Sequence, residues 1–338
     1  MDGARVETPA ASLPAPPSFN PNHRYEVPVR TIHTSDAALA RALAPLCALT
    51  VEAEYGSVVV EGTVYTAAHH QPSGPYAGDH TVEGGRPAPC NDANIPTLET
   101  GLEHDSIILV SHFDLDTVGG VLRAHLYAEP IFKPEFDGFW TLAAFVDVNG
   151  VHKRDRSGAS ILDHVRLDAW WAWADANVPR LPREGVTDVT ALMESAYGAL
   201  ADILVAGNPA MLEAGRRRRE AGDALNVASL VEARSSGVLV RRPPTERDFV
   251  NHLYEAFVGG GIIVGRAIVA HNPHHGSITV SLSDNLPGVS CRVLVQRLWG
   301  ALAGGHDGIA GSPRGQVMMQ ADVESAVQAL EDALDNAV

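Results

Sequence analysis

Apolar residues along this chain fall into runs of two kinds, short unbroken stretches and stretches spaced as on a helix. Ile107 to Val110 form an unbroken run that reads as a buried strand, and His112, Asp114 and Asp116 follow where it should end. Gly119 and Gly120 then open a segment, Val118 to Tyr127, in which Val121, Leu122 and Leu126 repeat at helical spacing. The polar triplet therefore falls in a strand-to-helix turn, which in open α/β sheets is where ligands bind. Trp140 to Asp147 reads as a second buried strand ending in a carboxylate, and two acid-ended strands joined by a helix make a βαβ unit with neighbouring tips.

The flanking regions extend this alternation. Tyr25 to Ile32 alternates like a strand, Ser35 or Asp36 can cap a helix running to Cys47, and Leu49 to Tyr65 reads as a hairpin turning near Glu54 to Ser57. Ala159 to Ala176 fits an amphipathic helix, Thr187 or Asp188 can cap another reaching Leu204, and Ala210 to Arg234 reads as a third. Beyond Gly237 the pattern predicts strands at Val238 to Arg242, Ile262 to Ala270 and Ser277 to Leu282. It also predicts helices at Thr245 to Phe257, Cys291 to Leu302 and Ala321 to Ala337.

The predicted class is thus α/β: a mainly parallel sheet flanked by helices, followed by a second, smaller mixed-sheet α/β domain. Residues 1–22, rich in Pro, Ala and Ser, are expected to be a flexible tail. Residues 23–100 form an extension continuous with a metal-binding domain at 101–209, 210–236 a helical linker and 237–338 a substrate-binding domain. Arg216 to Arg219 in the linker read as a solvated helix face. Residues 69–96, dense in turn formers, read as either a lid or a solvated loop in which His69 and His70 merely end a strand.

Composition narrows the function. With 338 residues of which 45% are hydrophobic, the chain can bury a sizeable core. It carries 25 basic against 41 acidic residues, a formal charge of −16 that repels long polyanions, so long nucleic acid is not an expected partner. Three widely separated cysteines, no apolar run of membrane-spanning length and no signal pattern give the expectation of a cytoplasmic protein without membrane association. A homodimer is compatible with this reading.

The chemistry concentrates at the polar triplet. Extended backbone sends alternate residues to one side, so His112, Asp114 and Asp116 are expected to point into one cavity. One imidazole and two carboxylates suit Mn²⁺, Mg²⁺ or Zn²⁺, and the two aspartates can serve different ions of a pair. Asp147, at the tip of the next predicted strand, is a further candidate ligand, with His152 as an alternative imidazole. Near the C-terminus, Gly304 and Gly305 let backbone approach a ligand closely, and His306 and Arg314 can donate to a phosphate oxygen.

Ser111-His-Phe-Asp-Leu-Asp-Thr-Val-Gly-Gly120 resembles the first motif of the DHH phosphoesterase superfamily, written His-x-Asp-x-Asp-Gly in archaeal RecJ-like members. Gly304-Gly-His-Asp-Gly-Ile-Ala-Gly311 resembles the Gly-Gly-His-x-x-x-Ala-Gly signature of the DHH-associated C-terminal domain. Thr117 departs from the first motif, and the resemblance leaves the first hundred residues uncovered. It implies two Mn²⁺ ions, with Asp147 bridging them. The family's Asp-His-His motif is matched only by Asp163-His164-Val165, making His164 a candidate ligand, and Asp202 stands for the family's last aspartate. A helical reading of the same region instead leaves Asp163 and His164 as polar-face residues.

The expected activity is hydrolysis of a small phosphoester or phosphoanhydride, such as a nucleotide or short oligonucleotide, at a pair of ions about 3.5–4 Å apart. Asp114, Asp116 and His164 would carry the chemistry. The alternatives are a scaffold of this type acting on a non-phosphate substrate, or a non-catalytic nucleotide-binding protein.

Overall fold

The computed structural model describes residues 29–55, 58–69, 82–83, 86–98, 107–313 and 315–337. The expected tail, the central part of the 69–96 stretch and Arg314 lie outside them.

The first half of the chain builds a five-stranded sheet. Asp36 caps the first helix by accepting the Ala38 and Leu39 amides at 2.7 and 3.2 Å. Strand β1 (Arg30–His33) leads through that helix, α1 (Ala37–Leu43), into β2 (Cys47–Val51). Two short antiparallel ladders follow on either side of a sheet strand: β3 (Glu54–Tyr55) with β4 (Val58–Val59), then β5 (Tyr65–Ala67), then β6 (Val82–Glu83) with β7 (Arg86–Pro87). The fully buried β8 (Ile107–Val110) takes the sheet centre, and the order is β5-β2-β8-β1-β9. All pairs are parallel except the edge, β9 (Thr187–Asp188), which runs antiparallel to β1.

Helices α2 (Leu115–Arg123), α3 (Asp137–Asn149), α4 (Ile161–Asn177), α5 (Thr190–Leu204) and α6 (Pro209–Ala228) accompany this sheet. Leu49, Ile108, Val121, Leu122, Trp140, Leu142, Trp170 and Leu200 meet in one core. At Gly119, a Cβ would lie 2.5 Å from Cys90 Cβ and 2.8 Å from the Trp140 ring; at Gly120, one would lie 2.6 Å from Pro89 Cβ. The Gly-Gly pair thus lets α2 seat directly on the turn at Pro89–Asn91.

The second half forms a mixed sheet of its own. Strands β10 (Leu230–Ala233) and β11 (Val238–Arg242) precede an antiparallel hairpin of β12 (Glu255–Val258) and β13 (Gly261–Val264) that stands apart from the sheet. Then come β14 (Ala267–Asn272), β15 (Ser277–Leu282), α7 (Cys291–Trp299), β16 (Gly304–Gly305), β17 (Ile309–Gly311) and α8 (Gln320–Asn336). The order is β10-β11-β14-β15-β17-β16, parallel only between β11 and β14. Val240, Val269, Val280, Leu294, Val327 and Leu330 form its core. Among the described residues no helix is long and apolar enough to cross a membrane.

The α/β class with mixed sheets agrees with the sequence, but several elements differ. Trp140 to Asp147 is helical, not a strand: Phe139, Trp140, Leu142, Ala143, Ala144 and Phe145 are all buried, and a helix buried over most of its surface shows nearly the same apolar run as a central strand. The predicted hairpin from Leu49 to Tyr65 exists only as the β3–β4 ladder, while β2 and β5 lie side by side in parallel. Thr245 to Phe257 is not a helix, since the Thr245 amide and hydroxyl both bond the Asp248 carboxylate in a local turn and the chain then enters β12. The linker helix stops at Ala228 and gives way to β10, and the stretch from Ile262 to Ala270 divides into β13 and β14.

Candidate metal centre

Three parallel strands deliver the centre of the site. Val51, Ala67 and Val110 are register partners at the carboxyl ends of β2, β5 and β8, so Glu52, His69 and the segment from Ser111 onward emerge side by side. Glu52 has a left-handed backbone, φ 51°, a conformation that costs about 1–3 kcal/mol for a non-glycine residue. Its amide donates to the Ala67 carbonyl at 2.8 Å, and its side chain is fully buried.

That strained residue joins two groups of donors. One carboxylate oxygen of Glu52 is 2.7 Å from His112 Nε2, which is 3.0 Å from Asp114 Oδ2. The other is 2.9 Å from His69 Nε2, which lies 3.4 Å from Asp116 Oδ2 and 3.1 Å from Asp147 Oδ2. His306 Nε2 closes the far side, 3.5 Å from the same Asp147 oxygen. Three overlapping groups able to hold a metal ion result: Glu52–His112–Asp114, Glu52–His69–Asp116 and His69–Asp147–His306.

Supporting contacts orient these donors. The Ser111 hydroxyl donates to the Glu52 carbonyl and lies 2.9 Å from His112 Nδ1, which suits a tautomer with the proton on Nδ1 and a lone pair on Nε2. Asp114 caps α2 by accepting the Thr117 amide at 2.9 Å, and Asp116 Oδ1 accepts the Cys90 amide at 2.8 Å. Arg292 Nε donates to the Gly305 carbonyl at 2.6 Å. Gly305 itself has φ 136°, and a Cβ there would lie 2.6 Å from the Ile309 carbonyl oxygen. The turn that presents His306 therefore requires glycine for its own closure.

The electrostatics favour cations. Burial, then the charges of Glu52 and Asp147, push the Asp116 carboxyl well above the usual range. Burial opposes protonation of His112, but Asp114 and Glu52 outweigh it and raise the imidazole to about 10. His69 is likewise raised, burial being overcome by Glu52, Asp147 and Asp116. Burial acts upward on Asp147, yet hydrogen bonds from His306 and His69 leave it below the ordinary carboxylate range. Four carboxylates and three imidazoles, counted over the three groups, leave a negative site that hard divalent cations would neutralise.

The structure brings together His112, Asp114, Asp116, Asp147 and His306 from the sequence-predicted set, though not as imagined. Asp114 is a helix cap and Asp116 sits in the first turn, so the two aspartates fall in different donor groups instead of alternating along a strand. Asp147 arrives from the last turn of α3. Gly304 and Gly305 form β16, and Arg314 lies outside the described residues.

Two predicted ligands stand elsewhere. Asp163 is in the first turn of α4, where it exchanges hydrogen bonds with Ser160, its oxygen 2.6 Å from Ser160 Oγ. His164 lies on the same helix with burial and the Arg154 charge lowering its pKa, and Asp202 sits near the end of α5; neither belongs to a donor group. The helical reading of this region is the one observed, because Ser160 is a strong N-cap. His152, the alternative imidazole, bonds the Ser283 carbonyl at 3.2 Å. Arg216, Arg218 and Arg219 pair with acids, among them Glu213 and Asp175.

Sequence reasoning missed Glu52 and left His69 undecided. A signal is present in the sequence: each lies within two residues of a strand's carboxyl end, as His112 does. Glu52 was concealed inside an assumed hairpin, and His69 inside a segment read as lid or loop.

Fold and site together define an α/β protein with a buried histidine and carboxylate centre that could hold metal ions, reached by side chains from both halves of the chain. No family model matches the sequence, and no curated protein matches it.

Proposed function

We propose that the chain is a divalent-metal-dependent phosphoesterase related to the DHH superfamily, acting on a small phosphoester or phosphoanhydride. The observation that carries this reading is the sharing of Glu52 and His69 among three donor groups, which suits adjacent ions better than a single one. Oxygen and imidazole donors without thiolate suit Mn²⁺, with Mg²⁺ or Zn²⁺ as alternatives. Bound there, such ions acidify water and neutralise phosphoryl oxygens.

The residues have distinct parts in this scheme. Glu52, fully buried between the two histidines, holds both donor groups at a fixed separation. Asp114, the most exposed carboxylate of the set, takes a proton from the attacking water and returns it to solvent. The water oxygen bonds phosphorus in line as the bond to the leaving oxygen breaks, and solvent protonates that oxygen. His306 completes the donor group of His69 and Asp147 from the second half of the chain. In this sequence Glu52 and His69 supply donors that the irregular Asp163-His164-Val165 segment does not.

Hydrolysis of a phosphoester panel by the full chain, with Mn²⁺ and then with EDTA, tests the proposal. Metal-dependent turnover that Asp114→Asn lowers about 100-fold or more, in a protein with an unchanged melting profile, is expected. Absence of turnover on every phosphoester with metal bound would overturn it.

A further inference from the structure

The hairpin of β12 and β13 pairs with no further strand among the described residues. Its base is fixed. Ala256 is fully buried in a cluster with Leu239, Val250, Tyr254 and Ile268, the Gly265 amide donates to the Tyr254 carbonyl at 2.8 Å, and the buried Arg241 donates to the Glu255 carbonyl. Beyond that base, from Phe257 to Val264, the chain carries no charged or hydrogen-bonding side chain.

The pairing register sorts these side chains onto two faces. Phe257 lies opposite Ile262, and Val264 shares their side; Ala256 lies opposite Ile263, with Val258 on that second side. The side bearing Ala256 faces the cluster, and there Val258 and Ile263 are each 38% exposed. The outer side is turned to water, with Phe257 52%, Ile262 61% and Val264 68% exposed. An antiparallel ladder with one face buried ordinarily carries polar residues on the other, and a two-stranded hairpin left alone in water is marginal. This hairpin is apolar on both faces, the pattern of a strand pair covered on both sides.

Size and charge select the occupant. The five exposed side chains leave roughly 450 Å² of apolar surface in water, as large as the patches that mark binding sites on soluble proteins. Two copies packed face to face cover about twice that, and with the glycine backbone at the tip they approach the roughly 1,200 Å² at which small specific interfaces begin. An uncharged face of this kind is self-complementary under a two-fold axis. A lipid surface is the poorer match. Anionic headgroups repel a chain of net charge −16, and the hairpin has neither the Lys and Arg nor the Trp and Tyr that anchor proteins at the lipid boundary. The same net charge acts between copies, but salt screens it beyond about 8–10 Å.

We infer that the outer face of this hairpin is a homodimer interface, in which Phe257, Ile262 and Val264 of one copy pack against the same three residues of a second copy. The inference is independent of the metal centre, since no residue of the hairpin belongs to a donor group.

Sedimentation equilibrium of the full chain at physiological salt tests it, comparing wild type with Ile262→Lys, Phe257→Thr and Leu302→Lys. Leu302 is an apolar residue of nearly equal exposure, 60%, outside the hairpin. The wild type is expected to form a dimer with a dissociation constant on the order of 1–100 μM, as suits an interface this small. Ile262→Lys should raise that constant about tenfold or more, and Phe257→Thr, which keeps β propensity, should raise it in the same direction. Leu302→Lys should leave it within about twofold. Because all three side chains are exposed, the variants should keep the melting profile of the wild-type monomer. A wild type that stays monomeric throughout this range, or a dimer that the two hairpin variants weaken no more than Leu302→Lys does, would overturn the interface. A monomeric wild type that instead sediments with phosphatidylcholine vesicles would also overturn it and make lipid the occupant.

Discussion

His306 Nε2 lies 3.5 Å from Asp147 Oδ2, so a residue following β16 in the second sheet meets the last turn of a helix packed on the first. The donor group of His69, Asp147 and His306 is complete only when the two halves are apposed. His306→Ala should therefore lower the metal content of the purified protein from about two ions towards one. Elemental analysis after gel filtration measures this, and an unchanged content would remove His306 from the centre.

Glu52 is both strained and surrounded by other carboxylates. Glu52→Gln removes the buried carboxylate that faces His69 and His112 at 2.9 and 2.7 Å, so the metal-free protein should lose stability at neutral pH, by about 1–3 kcal/mol. Metal affinity should fall at least about tenfold. Chemical denaturation in EDTA and a calorimetric Mn²⁺ titration measure the two effects; an unchanged Mn²⁺ affinity would leave Glu52 a merely structural acid.

The pH dependence should reverse with metal. In the metal-free protein His112 is raised from 6.5 to about 10, so its contribution to stability is fully present below pH 6.5 and lost as pH rises through 10. Binding a cation requires the neutral imidazole, so at pH 7 metal uptake must expel a proton. Metal-free stability should thus decline through the alkaline range while metal affinity rises with pH. Calorimetry in buffers of different ionisation enthalpy should register proton release on Mn²⁺ addition; release of none would contradict the assignment of His112.

The Gly-Gly pair in α2 has a packing role. Gly119→Ala would force a methyl against Cys90 and Trp140 and should destabilise the fold by about 1–3 kcal/mol. Because Cys90 donates its amide to Asp116, the same substitution should weaken metal binding as well. Thermal denaturation with and without Mn²⁺ separates the two effects.

His164→Ala, by contrast, should leave metal content and turnover at wild-type levels, since His164 lies on α4 outside the donor groups. A loss of metal in this variant would restore the ligand role that its sequence neighbourhood suggested.

The parts of this arrangement visible in the sequence are those that depend on local order. The run from Ile107 to Val110 and the acids behind it announce a strand tip, and Ser277 to Leu282 is recognisable from its β-branched residues alone. What stayed hidden depends on which strands become neighbours. Nothing near Val51 indicates that β2 will lie between β5 and β8, so Glu52 and His69 could not be connected to His112 before the sheet order was known. Asp147 belongs to a helix where the sequence predicts a strand, because a helix buried over most of its surface imitates a central strand. It still reaches the site, since the carboxyl end of α3 points to the same edge.

The most direct test of a centre shared by Glu52 and His69 is the number of ions each chain retains. Purified protein equilibrated with Mn²⁺ and freed of excess should hold about two ions per chain, falling to about one or fewer in His69→Ala. One ion or none in the wild type, or two undiminished in His69→Ala, would contradict the account.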